Sequence, residues 1–253
     1  MNPHKEKRHE LLELSHDLGA EHRDLAILGE GNTSAKLSDE TFLVKASGSS
    51  LGTLKKDGVV ECRFDLVLTL MNQTEVSDEE IDNTLLSCRV DPEARKPSVE
   101  ALFHAYLLSL PGISFIGHTH PIAINSILCS PQAEAFASRR LFPDEVVCCG
   151  HRSVLVPYTD PGLRLSQAIR TGVEEFTNSQ GTLPRVILLK NHGIITLGLT
   201  PDSVKVAMYM AVKAARIFLG AVALGGPVFL SDADVDRIAN RRDEHHRQRA
   251  LGL

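Results

Sequence analysis

Ile113-Ser114-Phe115-Ile116-Gly117-His118-Thr119-His120-Pro121 is the stretch from which the fold can be read outward. Residues 113–117 form an apolar run of strand length that leads straight into the two histidines. Residues 122–129 then resume a helical pattern, so the histidines sit at the end of a strand. Downstream, residues 146–149 and 153–156 read as strands and residues 163–176 as a helix. Residues 186–189 and 194–197 read as two more strands, flanking Asn191-His192-Gly193, so a third histidine also sits at a strand end. Thr200-Pro201 supplies an N-cap and first-turn pair for a long helix to about residue 224, and residues 231–242 make a final helix.

Upstream, Pro97 or Ser98 is expected to open a helix that carries Glu100 and ends near Leu110, before Pro111-Gly112. The run Asp91-Pro92-Glu93-Ala94-Arg95-Lys96-Pro97 is a loop by composition. Ser77 with Glu80 forms a capping box for a helix to about Ser87, and residues 59–64 read as a strand. Residues 32–37 and 41–47 are strand-like on either side of Ser38-Asp39-Glu40, which makes them a hairpin. Leu11, Leu14 and Leu18 place an amphipathic helix ahead of Gly19. Strands and helices are intermixed throughout, with no repeat or linker. The expectation is one layered α/β domain over residues 1–253, with a helical tail from about 231.

A formal net charge of -5 argues against a nucleic-acid or anionic-membrane binder, because both depend on excess Lys and Arg. The tail around Arg241, Arg242, Arg247 and Arg249 is interrupted by Asp243 and Glu244, which reads as a solvated helix face. Lys213 and Arg216 break the most hydrophobic helix, so no membrane span is expected, and the charged N-terminus lacks a secretory apolar core. The expected location is the cytoplasm and the expected partner a small molecule. Cys62, Cys88, Cys129, Cys148 and Cys149 form no Cys-x-x-Cys pair, and their odd count suits reduced thiols in the core.

Residues two apart in a strand project from one face with Cα atoms roughly 7 Å apart, close enough to share an ion. His118 and His120 meet that condition. Zinc accepts imidazole nitrogen at about 2.0 to 2.1 Å, and His192 would complete a three-histidine site with a position open to water or substrate. Gly193 beside it permits a tight turn and close backbone approach. Each element alone has a plainer reading: a His-x-His pair is only modestly specific, and a lone histidine is more often simply hydrogen-bonded. Glu100, with His104 four residues on, reads by itself as a carboxylate favoured by the helix dipole, and a nearby metal reverses that preference.

These residues resemble the class II aldolase/adducin family, which includes L-fuculose-1-phosphate aldolase and L-ribulose-5-phosphate 4-epimerase. The resemblance rests on five blocks in order, spanning roughly residues 10 to 225: Gly31-Asn32-Thr33-Ser34, Ala46-Ser47-Gly48, Pro97-Ser98-Val99-Glu100 with His104, Gly117-His118-Thr119-His120-Pro121, and Lys190-Asn191-His192-Gly193. It implies a three-layer αβα sandwich with a largely antiparallel central sheet, and a homotetramer with active sites near subunit contacts. It implies that His118, His120 and His192 bind one divalent ion per chain, taken as Zn2+, and that Glu100 binds the free metal and swings away to act as acid/base. It places Asn32, Ser47, Gly48 and Ser98 where family members hold a substrate phosphate; glycine-rich turns and short polar side chains suit an anion, and turn chemistry alone is the plainer reading.

Two departures bear on the reaction. Where phosphate binders of the family commonly have Ser-Ser-Glu, this chain has Ser98-Val99-Glu100, one hydroxyl fewer. The family aldolases also use a tyrosine between the second and third histidine blocks; here only Tyr106, Tyr158 and Tyr209 exist, and His151 is the one candidate replacement. The leading expectation is a metal-dependent aldolase that reversibly cleaves a ketose, a sugar phosphate or a hydroxy-keto acid, through a metal-stabilised enediolate. The alternatives are an epimerase, decarboxylase or dehydratase using the same site, and an adducin-like interaction domain without catalysis. The last would be expected to have lost the histidines, which this chain keeps.

Overall fold

The structure is a computed structural model and describes residues 3–241, so Arg242, Arg247 and Arg249 of the basic tail lie outside the described residues. The chain begins with α1 (Pro3–Leu18) and the hairpin β1 (Asn32–Lys36) and β2 (Thr41–Lys45). β3 (Val59–Arg63), α2 (Phe64–Met71), α3 (Asp78–Ser87), α4 (Ala101–Ser109) and β4 (Phe115–Thr119) follow. After β4 come α5 (Ile122–Leu128), α6 (Ala133–Ser138), α7 (Pro143–Cys149), β5 (Val154–Val156) and α8 (Leu163–Gln180). β6 (Val186–Leu189), β7 (Gly193–Gly198), α9 (Pro201–Ala223) and α10 (Asp232–Ala239) complete it.

The seven strands form one sheet in the order β3-β2-β1-β4-β7-β6-β5, antiparallel except for the β5–β6 pair. Alternation along β4 feeds two cores: Phe115 joins the one under α1, α5, α7 and α9, and Ile116 the one under α2, α4 and α8. The result is the expected three-layer arrangement of helices on both faces of a largely antiparallel sheet. His118 continues the Ile116 face, which points it toward α4.

Local chemistry explains most boundaries. Ser38 Oγ accepts the N–H groups of Glu40 and Thr41 and closes the β1–β2 turn. Ser77 and Glu80 form the reciprocal capping box at the start of α3, and Thr200 with Ser203 does the same for α9. α9 is long and apolar enough by length and composition alone to cross a membrane. Here its Val204, Ala207, Met208, Ala211, Ala214, Ala215 and Phe218 are buried in the core beneath the sheet, and that packing accounts for the apolar stripe.

Three expectations need correction. Residues 146–149 are not a strand but the last turn of α7. Pro143 stands in the first turn of that helix and the buried Glu145 carboxylate accepts the N–H of Leu141, a helix-start arrangement that outweighs the β-branched Val146-Val147 pair. The helix expected from Pro97 or Ser98 begins only at Ala101. Pro97 bridges Ala46 and the Ser98 N–H donates to the Lys45 carbonyl at 3.4 Å, so this segment stays extended against the end of β2. Of the five cysteines, Cys62, Cys88, Cys148 and Cys149 are buried, but Cys129 is exposed at the end of α5. Two apolar helices, α2 and α6, were not anticipated; each is too short to display a helical period.

Candidate metal centre

The strand register brings the site together. Asn32 on β1 pairs with His118 on β4, and His118 pairs on its other side with Ile195 on β7. β6 and β7 pair Leu189 with Gly193, so the intervening Lys190-Asn191-His192 must turn tightly, and Asn191 takes a left-handed conformation with φ of 56°. Asn125 on α5 donates to the His192 carbonyl at 2.9 Å and steadies that turn.

The ligating atoms of His118, His120 and His192 lie within 4.8 Å of one another. Ring centroids are 4.8 Å apart for His118 and His120, 5.0 Å for His118 and His192, and 4.9 Å for His120 and His192. His118 is fully buried and its Nδ1–H donates to the Ile194 carbonyl at 3.0 Å, which fixes the tautomer and leaves Nε2 as the inward lone pair. The Nε2 atoms of His118 and His120 face each other at 3.0 Å. Burial, with His118 and His192 nearby, pushes His120 down to about 3, so its imidazole stays neutral, as a ligand must. Burial opposes a charge on His118, but the Glu100 carboxylate outweighs burial and raises its pKa, so an ion here would take the place of a proton. Three imidazoles converging on one point fit a divalent metal that accepts nitrogen ligands.

Glu100 is the carboxylate of this centre. Its Oε1 lies 3.4 Å from Nε2 of His118 and 3.4 Å from Nε2 of His192, while its Oε2 accepts from Asn32 Nδ2. The residue occupies the N-terminal position of α4 but does not cap it, so the capping role is set aside by geometry. Burial raises its pKa, but the charges and hydrogen bonds of His118 and His192 outweigh burial and hold the carboxyl well below its ordinary value. Ser98 Oγ accepts from Asn32 Nδ2 at 3.4 Å and from the Glu100 N–H at 3.3 Å. Asn32 and Ser98 thus adjoin Glu100. Ser47 and Gly48 lie on the exposed turn after β2, where the Ser47 N–H donates to the Lys96 carbonyl at 3.0 Å and Gly48 has φ of 70°.

Sequence reasoning marked His104 beside Glu100, but several other neighbours escaped it. His104 is fully buried on α4, with Nδ1 2.7 Å from Ser34 Oγ and no partner for Nε2 among the described residues; burial pushes it down to about 3. Lys45, only 2 % exposed, and Arg95 both donate into the 47–49 turn. A lysine closing the apolar run Phe42-Leu43-Val44 was a signal available in the sequence; nothing marked Arg95. Glu30 Oε1 lies 3.8 Å from His120 Nδ1, behind the ligand set. His151 is not a neighbour of the histidines: it pairs with Asp236 of α10 at 3.5 Å. The Tyr158 hydroxyl donates to Asp160 and the Tyr209 hydroxyl to Asp17.

Gly193 is where sterics protect the centre. A Cβ there would stand 2.5 Å from the Thr119 carbonyl oxygen and 2.6 Å from His120 Cδ2. Gly193→Ala is therefore expected to displace His120 and weaken metal binding by about 10–100-fold, the range for disturbed ligand orientation, with the far-UV circular dichroism unchanged. Gly220→Ala, with nothing within 4 Å of the new methyl, is the control expected to keep metal affinity. Metal titration of both variants reads the difference.

The family model described as Class II Aldolase and Adducin N-terminal domain matches residues 9–219. The uncharacterized oxidoreductase YuxG of Bacillus subtilis (strain 168) is 32% identical over 202 residues, covering 77% of this chain but only 27% of YuxG. The 3-oxo-tetronate 4-phosphate decarboxylase of Haemophilus influenzae is 28% identical over 177 residues, covering 70% of each chain. Among solved structures, the N-terminal Class II Aldolase domain of a conserved protein from Thermoplasma acidophilum superposes with a TM-score of 0.65 at 29% identity, covering 83% of this chain and 92% of that one.

Proposed function

Because the chain belongs to the class II aldolase and adducin N-terminal domain family, we propose that it is a divalent-metal-dependent aldolase acting on a ketose, a sugar phosphate or a hydroxy-keto acid. The observation that carries this reading is the convergence of three histidine nitrogens with the Glu100 carboxylate oxygen at 3.4 Å from two of them. His118, His120 and His192 would hold the ion. When bound, it supplies Lewis-acid polarisation of a substrate carbonyl and charge neutralisation for the enediolate.

The remaining steps fall to the chain's own groups. In the cleavage direction Glu100 takes the proton of the substrate's β-hydroxyl, and the bond between the α and β carbons breaks. Its electron pair passes into the enediolate as the aldehyde leaves, and Glu100 returns a proton to the α carbon. Asn32 orients that carboxylate through Oε2, and Ser98 accepts from the Asn32 amide and from the Glu100 N–H. Their contacts must loosen for Glu100 to reach both positions.

The same reading takes the ion as zinc, the assembly as a homotetramer, the location as the cytoplasm and residues 1–253 as a single domain. A second reading, decarboxylation of a 3-oxo acid on the same site, is favoured by the Haemophilus influenzae relative, a 3-oxo-tetronate 4-phosphate decarboxylase. Decarboxylation of a 3-oxo acid leaves an enolate, which is an enediolate when the α carbon bears a hydroxyl, so the same site would serve either reaction. A panel of ketose phosphates, hydroxy-keto acids and 3-oxo acids, assayed for aldehyde and for carbon dioxide, separates them. Aldehyde release is the expected result; carbon dioxide without aldehyde would move the assignment to the decarboxylase.

A further inference from the structure

The three imidazoles of the centre are not held alike. His118 has its second ring nitrogen bonded to the Ile194 carbonyl at 3.0 Å, and His120 Nδ1 faces the Glu30 carboxylate at 3.8 Å. His192 turns Nε2 toward Glu100, and its Nδ1 has no hydrogen-bond partner among the described residues. A ligating histidine is ordinarily oriented by what its other ring nitrogen meets. His192 lacks that support and sits on the turn ahead of β7 rather than within a strand, so its direction depends on the backbone that carries it.

That backbone is tied down at the His192 carbonyl. The β6–β7 ladder closes at Leu189 and Gly193, which leaves this carbonyl outside it, and its donor is Asn125 Nδ2 at 2.9 Å. Asn125 stands one helical turn beyond His120-Pro121, and its own N–H donates to the Pro121 carbonyl at 2.9 Å. The Asn191 N–H donates to the Leu128 carbonyl at 3.4 Å, so α5 holds the turn at a second point. One helix therefore links the strand end that bears His118 and His120 to the turn that bears His192.

Packing gives no reason for an amide at this position. Its neighbours on α5 are apolar, and Ile124, Ile127 and Leu128 are buried on either side of it. Asn125 Oδ1 is itself buried with no hydrogen-bond partner among the described residues. A buried amide oxygen left unpaired destabilises a fold, whereas an apolar side chain of similar shape carries no such penalty. The amide works against stability, and the group it serves is the carbonyl of a metal ligand.

We propose that Asn125 is a positioning residue for the metal: by holding the His192 carbonyl it aims that imidazole at the ion, raising metal affinity while lowering the stability of the metal-free fold. The inference rests on the three-histidine reading of the centre and adds to it the residue that keeps the third ligand in place.

The test is titration of the metal-free protein with Zn2+ and with Co2+, beside Asn125→Leu and Asn125→Asp, with melting temperatures taken before and after loading. Leu has nearly the same branched shape and removes both the donor and the orphaned oxygen; Asp keeps the shape and loses the donor. Both variants are expected to bind Zn2+ about 10–100-fold more weakly, the range for loss of an orienting partner, and to shift the visible ligand-field bands of the Co2+ form. Metal-free Asn125→Leu is expected to melt no lower than the metal-free wild type and to gain less on loading, since stabilisation by a ligand falls with its affinity. A residue that only stabilised the fold would do the reverse. Metal-free Asn125→Leu would then melt lower while Zn2+ affinity and Co2+ bands stayed as in the wild type, and that result overturns the proposal. Metal uptake by the wild type with equal affinity in both variants overturns this inference alone. No uptake by the wild type removes the metal centre itself, and this inference with it.

Discussion

Replacing Glu100 with Gln is expected to leave the bound metal in place and to reduce turnover by about 100- to 10,000-fold, the usual share of a positioned general acid/base. Gln has nearly the shape of Glu, and its amide oxygen can still accept from Asn32 Nδ2, so the side chain keeps its place between β1 and α4. The three imidazoles remain, and they are the ligand set. What disappears is the group that accepts a proton and gives it back. Metal analysis alongside single-turnover kinetics checks this, and an unchanged rate would sink the assignment of Glu100. If metal and turnover vanished together, the carboxylate would be a ligand the site cannot spare, and the acid/base role would have to pass to another group.

The parts of this protein that were legible in its sequence are those written in local chemistry. The β1–β2 hairpin follows from Ser38-Asp39-Glu40, α3 from Ser77 and Glu80, and α9 from Thr200-Pro201, because each signal and the structure it causes lie within a few residues. The histidines were legible because an alternating strand and a tight turn put chemistry at fixed spacings, and the structure gathers them as β4 pairs with β7. Residues 146–149 misled because a buried Val-Val-Cys-Cys run has no period of its own, and only the Pro143 and Glu145 signals upstream distinguish a helix from a strand.

The surroundings of Glu100 were less legible, for a different reason. Its true position, at the first residue before α4 rather than inside a helix, depends on Pro97 pairing with Ala46, a contact made across about fifty residues of chain. Arg95 reaches Ser49 across 46 residues and Asn32 reaches Glu100 across 68. Spacing in sequence carries no trace of such partners. His104 was visible beside Glu100 in the sequence, but its contact with Ser34, 70 residues away, follows from packing α4 on the sheet.

The most direct test of the central claim is metal content by mass spectrometry on the purified protein beside His118→Ala, with circular dichroism to confirm that the variant folds. His118 is wholly buried and its Nδ1–H occupies the Ile194 carbonyl, so the less buried His192→Ala serves as a second variant if the first does not fold. The expected result is about one divalent ion per wild-type chain, as a three-histidine site holds, and its loss from either variant. A protein that takes up no ion even after reconstitution, or variants that retain the full complement, would contradict the metal centre and the chemistry built on it.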